Sequence, residues 1–148
     1  MEDHRRNILT IDIGGSGIKA TVLNQHEEMI IPRKRVSTPT ESTPENVLEA
    51  VQEVIQGFPD FDKVAVGFPG YVKKGAVMTA PNLGTEDWEG FPLAQRLADI
   101  LGKPVRLLND ADLLGLGVIQ GEGLELMITL GTGVGTAMFM DGHLMPHL

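Results

Sequence analysis

The sequence contains no cysteine, which excludes disulfide bonds, thiolate nucleophiles and cysteine-ligated zinc sites. It also lacks any apolar run near the roughly 20 residues that a membrane-spanning helix needs. Basic residues number 12 against 20 acidic ones, and the net charge of -8 argues against a nucleic-acid-binding face. The first residues, MEDHRRNILT, show neither an apolar signal core nor a cleavage pattern. These absences predict a cytoplasmic protein with no nucleic-acid or membrane partner.

The composition that remains is typical of a globular domain. With 148 residues, of which 42% are apolar, the chain is long enough to bury one core. Apolar runs bounded by turn residues predict strands at 8–13, 18–24, 28–37, 63–68, 104–109, 124–130 and 134–140. Helical spacing of apolar residues predicts a helix from Pro44, with Thr43 as its cap, and others at 92–101 and from 111. A small hairpin around Lys74 and Gly75 and a long loop before residue 92 complete the predicted order.

The segment DIGGSGIK, at 12–19, places three glycines at the turn between two predicted strands, with an acid near the end of the first strand and a lysine near the start of the second. Backbone N–H groups at such a turn bind anions, and glycine lets a phosphate approach without a Cβ in the way. Ser16 adds a hydroxyl donor, Lys19 a positive charge, and Asp12 a carboxylate that can orient a hydrated magnesium ion. The segment also fits the dinucleotide pattern G-x-G-x-x-[GA], but that pattern requires a helix where these residues predict a strand. An ordinary hairpin with a solvated aspartate is the other alternative.

Two further segments carry polar residues at strand ends. LGTGVGT, at 130–136, repeats the arrangement of strand, glycine turn with a hydroxyl, and strand, as a pair of loops gripping a polyphosphate chain would. Asn109-Asp110 ends a buried strand, at the sheet edge where open α/β proteins usually form their sites. There the aspartate can take a proton from a substrate hydroxyl while the asparagine hydrogen-bonds the same substrate. The alternative is that Asn109 or Asp110 simply caps the next helix.

Together these motifs resemble the ROK family (repressors, open reading frames, kinases), in the sugar-kinase branch of the actin–hexokinase superfamily. The three segments at 12–19, 109–110 and 130–135 look like its first phosphate motif, its sugar-binding and base pair, and its second phosphate motif. The stretch GFPGYVKKGAVMTAPNLGTEDW, at 67–88, looks most like the polyphosphate glucokinases of this family. The resemblance implies an α/β fold: an actin-like, ribonuclease H-like lobe with a mixed sheet and flanking helices, plus the first hairpin of a second lobe.

The resemblance also implies a reaction. A phosphoryl group would pass from polyphosphate, ATP or both to the 6-hydroxyl of glucose. Asp12 would lie near Mg²⁺, and Asp110 would be the general base. The implied sugar-binding residues are Gly70, Asn82, Asn109 and Asp110. The implied phosphate-binding residues are Gly14, Gly15, Ser16, Gly17, Lys19, Gly131, Thr132 and Gly133.

Trp88 and the basic residues are interpreted more simply. A lone tryptophan in a loop is more often a packing residue than a sugar-stacking one, so Trp88 is not assigned to the site. Basic residues that could form a track for polyphosphate are Lys19, Arg33, Lys34, Arg35, Lys73 and Lys74. They could equally be solvated surface, which is the preferred interpretation for Arg33 to Arg35.

Members of the family continue beyond the second phosphate motif with a sugar-binding Glu-x-x-His segment and a second lobe. We therefore expect a tail at 1–7, an N-terminal lobe at 8–122 and the start of an incomplete second lobe at 123–148, so that the chain is a truncated half. Strands at 124–145 would then expose an edge and an apolar face, which predicts a homo-oligomer formed through this segment. The alternative to a kinase is a non-catalytic half-domain that self-associates and at most binds phosphate or sugar.

Overall fold

A five-stranded mixed sheet forms the centre of the structure, a computed structural model that describes residues 6–130 and 134–146. Its strands are β1 (Ile8–Ile13), β2 (Gly17–Leu23), β3 (Lys34–Ser37), β4 (Lys63–Phe68) and β7 (Val105–Asn109). The strand order is β3-β2-β1-β4-β7. The first three strands pair antiparallel, whereas β4 and β7 run parallel to β1. The parallel strands therefore end at one common edge, just before Pro69 and Asp110.

Helices and two smaller sheets complete the architecture. The helices are α1 (Pro44–Val54), α2 (Thr85–Trp88), α3 (Leu93–Leu101) and α4 (Asp110–Val118). A second sheet holds β8 (Leu124–Leu130), β9 (Val134–Met140) and β10 (His143–Leu144), in the order β10-β9-β8. A small hairpin pairs β5 (Val72–Lys73) with β6 (Ala76–Val77). Among the described residues, no helix is long and apolar enough to span a bilayer.

The main core lies on one face of the central sheet. Alternate residues of β1, such as Leu9, Ile11 and Ile13, point to this face and are fully buried. The apolar stripes of α1 and α3 cover them. Trp88 belongs to the same core: it is fully buried, and its ring centroid lies 4.9 Å from that of Phe68. The interpretation of Trp88 as a packing residue agrees with this position.

Helix α4 covers the opposite face and joins the two larger sheets. A Cβ on Gly67 of β4 would lie 2.9 Å from Leu113 Cδ2, so the helix needs a glycine beneath it. On its other side, a Cβ on Gly115 would lie 2.5 Å from the ring of Phe139, which is fully buried. Close packing on both sides fixes the position of α4 and therefore of its first turn.

Several element bounds differ from the prediction, three of them with an evident local cause. The third strand was predicted at 28–37, but β3 begins only at Lys34, because Pro32 has no N–H to donate to a ladder. Helix α2 falls inside the predicted long loop; it is only four residues long and starts after Gly84, whose φ is 95°. The last helix begins at Asp110, one residue earlier than predicted, because Asn109 is its cap.

Candidate functional site

A cleft of about 380 Å³ opens between the carboxyl edge of the central sheet and the second sheet. Its lining comes from the loop after β4, the loop before α2, the junction of β7 with α4, and the facing ends of β8 and β9: Pro69, Pro81, Asn82, Asn109, Asp110, Leu114, Thr129, Leu130, Val134 and Gly135. Three of the predicted sugar-binding residues thus share one cleft, although Asn82 is distant from the other two in sequence. Gly70, the fourth predicted sugar-binding residue, accepts a hydrogen bond from the side chain of Asn109.

The Asn109 side chain connects the two walls of this edge. Its Oδ1 accepts a hydrogen bond of 2.9 Å from the N–H of Ala111, and its Nδ2 donates one of 2.8 Å to the Gly70 carbonyl. The helix-cap interpretation of Asn109 is therefore correct, and the same amide fixes the loop after β4. One N–H and one lone pair of the amide are still available to a ligand.

Gly70 stands where no other residue fits. A Cβ on Gly70 would overlap the carbonyl oxygen of Thr79, and its N–H donates to the Phe68 carbonyl at 3.0 Å. The Gly70 carbonyl is thereby aimed at Asn109. The sequence indicates Gly70 as a sugar-binding residue by resemblance, whereas the structure shows its carbonyl accepting a hydrogen bond from the side chain of Asn109.

Asp110 is the first residue of α4 and is half-buried. Burial raises the pKa of its carboxyl group above the ordinary value, and the nearby charges of Asp12 and Asp112 raise it further. The N–H of Ala111, which donates to Asp110 Oδ1 at 2.8 Å, acts in the opposite direction. A raised pKa brings a carboxylate closer to the range in which it can accept a proton from an alcohol and later release it.

The glycine hairpin between β1 and β2 lies beside the cleft. The N–H of Gly14 donates to the Gly17 carbonyl at 2.9 Å and closes the turn. A Cβ on Gly15 would lie 3.1 Å from Asn82 Cβ, so this residue of the cleft wall stands directly beside the hairpin backbone. The predicted phosphate-binding turn is thus adjacent to Asn82, one of the predicted sugar-binding residues.

Carbonyl groups of this hairpin are held from outside the cleft. Thr38 Oγ1 donates to the Gly14 carbonyl at 2.6 Å, and the N–H of Thr38 donates to the Ser16 carbonyl at 3.2 Å. Within residues 6–130 and 134–146, no acceptor meets the N–H of Gly15 or of Ser16. Two donors of the turn therefore remain available to an anion. Thr38 is a site-forming residue that the sequence did not indicate, because its contact depends on how residues 37–38 follow β3.

Asp12 and Lys19 face each other across β1 and β2, on the side of the sheet that α4 covers. The Asp12 side chain reaches solvent, yet the surrounding protein displaces enough water to raise its pKa, while the charges of Lys19 and Arg33 act to lower it. In the described part of the chain, no three carboxylate or imidazole groups converge into a metal-binding cluster. Asp12 alone suits Mg²⁺ nonetheless, because this ion is usually held by one or two carboxylates, waters and substrate phosphates.

Other predicted residues lie elsewhere. Gly131, Thr132 and Gly133 lie outside the described residues. Lys73 and Lys74 are in the exposed β5–β6 hairpin and do not line the cleft. Lys34 is also turned away from it: its Nζ donates to the Gln56 carbonyl at 3.0 Å and lies 5.2 Å from the centroid of the Phe58 ring.

Comparison with known proteins identifies the family. The ROK family model matches residues 8–146. The chain belongs to the ROK family. It is 34% identical over 151 residues to the polyphosphate glucokinase of Mycobacterium tuberculosis, a match that covers 97% of this chain and 57% of that protein. With the glucokinase of Streptomyces coelicolor, the identity is 33% over 144 residues, covering 90% of this chain and 44% of that one.

Solved ROK structures share the fold. The inorganic polyphosphate/ATP-glucomannokinase from Arthrobacter sp. strain KM superposes with a TM-score of 0.85 at 36% identity, covering 97% of this chain and 62% of that one. A ROK family glucokinase from Streptomyces griseus, in complex with glucose and AMPPNP, superposes with a TM-score of 0.77 at 30% identity, covering 94% of this chain and 46% of that one. The chain thus spans less than two thirds of each of these relatives. The predicted family and the predicted actin-like α/β fold are confirmed.

Removing the charge of Asp110 is expected to stabilise the protein in a pH-dependent way. Its pKa is raised from 3.8 on folding, so the folded protein binds this proton more tightly than the unfolded chain. Stability from this group is therefore greatest at low pH and falls as the pH rises from 3.8 through the folded pKa. We expect Asp110→Asn to unfold at a higher urea concentration than the wild type at neutral pH, with the difference narrowing towards pH 3.8.

Urea titrations at several pH values, followed by circular dichroism, measure this difference. The matched control is Asp99→Asn, which makes the same substitution at an exposed aspartate of α3. A wild-type protein that is more stable than Asp110→Asn at neutral pH would contradict the assigned environment of Asp110.

Proposed function

We propose that this chain supplies the sugar site and a phosphate-binding turn of a kinase that phosphorylates the 6-hydroxyl of glucose, with polyphosphate or ATP as donor. The supporting observation is that Asn82 stands directly beside Gly15, which sets the hairpin with free N–H groups next to the cleft of Asn109 and Asp110. The relatives are named as glucokinases and as polyphosphate- or ATP-using enzymes, in agreement with this substrate and these donors.

In the proposed reaction the sugar lies between Asn82 and Asn109 with its 6-hydroxyl at Asp110. The Asp110 carboxylate accepts the hydroxyl proton as the sugar oxygen forms its bond to the terminal phosphorus of the donor. The bond from that phosphorus to the bridging oxygen breaks, and the shortened donor leaves with the electron pair. The N–H groups of Gly15 and Ser16 hold donor oxygens, so the hairpin and the cleft act mainly by positioning the two reactants.

Charges near the hairpin suit a polyanionic donor. Lys19 lies in register with Asp12 and adds a positive charge on the side of α4. Asp12 would hold Mg²⁺ through its hydration shell, and the ion, when bound, would neutralise charge that develops on the donor phosphates.

A second candidate function rests on the outer face of the second sheet. Eight outward positions of β8 and β9 pair with one another across the hairpin, and all but Thr136 are apolar. The exposed apolar residues are Leu124, Leu126, Ile128, Leu130, Val134, Met138 and Met140. Leu130 is 82% exposed and Val134 71%, values far above those of core residues. A face of this kind favours association.

The edge of β8 fits a second copy of itself. Among the described strands, β8 pairs only with β9, so its other edge is free. An antiparallel pair of β8 strands centred on Met127 would set Leu124 opposite Leu130 and Leu126 opposite Ile128, and no like charges would face each other. We therefore propose a homo-oligomer formed through β8 and β9, in which the chain would act as a folded module even without turnover.

Phosphoryl transfer by the chain itself separates these two functions. Glucose 6-phosphate formation is measured with polyphosphate and with ATP offered separately. Because general-base catalysis contributes about 10²- to 10⁴-fold, Asp110→Asn should lower kcat by at least about 10²-fold, while Asp99→Asn should retain the wild-type rate. A folded wild-type chain with no turnover on either donor would leave the non-catalytic module as the function of this chain.

Sedimentation velocity over a range of protein concentrations measures self-association. The wild type should sediment as an oligomer, and the double variant Leu126→Lys, Ile128→Lys should shift to monomer because lysines on the apolar face repel across the interface. Met29→Lys is the matched control, since Met29 is 62% exposed but lies outside the second sheet. A wild type that stays monomeric at all concentrations would contradict the proposed interface.

A further inference from the structure

Arg35 contacts the phosphate-binding hairpin from the neighbouring strand. Its Nη2 donates to the Ser16 carbonyl at 3.1 Å. Its guanidinium also lies on the backbone of Gly17, where a Cβ would be only 2.5 Å from Nε and 2.6 Å from Nη2. Gly17 therefore has a steric role: without a side chain, it lets an exposed arginine of β3 lie across the first residue of β2. The sequence pattern favoured solvated surface for Arg35, and the structure gives it a specific contact.

The hydrogen bond orients the hairpin. Arg35 and the N–H of Thr38 both donate to the Ser16 carbonyl, and Thr38 Oγ1 donates to the Gly14 carbonyl. Together they hold both carbonyl groups on the β3 side of the turn. The N–H groups of Gly15 and Ser16 are left without protein acceptors in the described part of the chain. A turn held in this way loses little conformational freedom when an anion binds.

The charge of Arg35 is not compensated by the protein. In the described ranges, no carboxylate lies within ion-pair distance of its guanidinium, and its partner is a neutral carbonyl. Across β2 and β3 it stands opposite Lys19, and like charges in directly opposed positions destabilise a sheet. A bound anion would relieve this repulsion, whereas a role as ordinary solvated surface would not explain why two like charges stand opposite each other.

We propose that Arg35 is a donor-binding residue that positions the phosphate hairpin and contributes a positive charge to the phosphate chain of the donor. This inference rests on the proposed function, because it needs the hairpin to bind phosphate. Arginine suits both roles: its planar group donates to a carbonyl with one nitrogen and presents further N–H groups to phosphate oxygens. Lysine at this position would retain the charge but not the fork.

The test is the binding of inorganic tripolyphosphate, used alone as the probe. Calorimetry gives the affinity, and the backbone amide signals of Gly15 and Ser16 report whether the anion binds at the hairpin. We expect Arg35→Gln to weaken binding at least about tenfold, as loss of one charge-assisted contact would, and Arg35→Lys to recover only part of the affinity. The matched control is Lys34→Gln: it removes the same charge from the adjacent residue, whose ammonium points to Gln56 instead.

Each outcome decides the proposal. Loss of affinity in Arg35→Gln, with Lys34→Gln close to wild type and both variants folded by circular dichroism, supports it. Equal affinity in the two variants overturns the role of Arg35 while tripolyphosphate binding by the wild type leaves the proposed function standing. A wild type whose Gly15 and Ser16 signals do not respond overturns both. If Arg35→Gln does not fold, Arg35→Lys decides: wild-type affinity in that variant overturns the role of the guanidinium fork.

Discussion

The amide of Asn109 connects the parts of the molecule on which the cleft depends. One side-chain group caps α4 through the N–H of Ala111 and fixes the loop after β4 through the carbonyl of Gly70. Because both bonds come from one planar group, the start of the helix and the loop cannot move independently. Asp110, the next residue, is thereby held in the lining of the cleft. Asn109, a predicted sugar-binding residue, is therefore also the structural link that positions Asp110, the predicted general base.

Close helix–sheet packing explains why Asp110, the proposed general base, lies where it does. Glycines at its two packing surfaces let α4 approach β4 on one side and β9 on the other: Gly67 in β4, Gly115 in α4 itself and Gly135 in β9. The resulting burial raises the pKa of Asp110, and the nearby Asp12 adds to the effect. Stability and reactivity are opposed at this residue, since the environment that makes the carboxylate a better proton acceptor also makes its charged form less stable.

The sequence predicted most of the fold and part of the site, and the differences have physical causes. Strands with apolar runs or strict alternation were identified because a period of two is visible in sequence, whereas β3 was overextended across Pro32. Asn109 and Asp110 were predicted from their place at the end of a buried strand and Asn82 from a resemblance to known motifs, and the structure brings all three to one cleft. Thr38 was not indicated by the sequence, and Arg35 was named only as one of six basic residues with solvated surface as the preferred interpretation, because their contacts with the hairpin depend on the register of β2 and β3.

The measurement that most directly tests sugar binding in the cleft is the response of asparagine side-chain amide signals to glucose in ¹⁵N-labelled protein. Asn82 and Asn109 should show saturable shifts, because one lines the cleft wall and the other keeps an unused N–H there. Asn24 and Asn46, whose side chains bond to Glu28 and to the Glu41 carbonyl outside the cleft, should not respond. Shifts confined to other residues, or none at saturating glucose in folded protein, would contradict a sugar site at the Asn109–Asp110 edge.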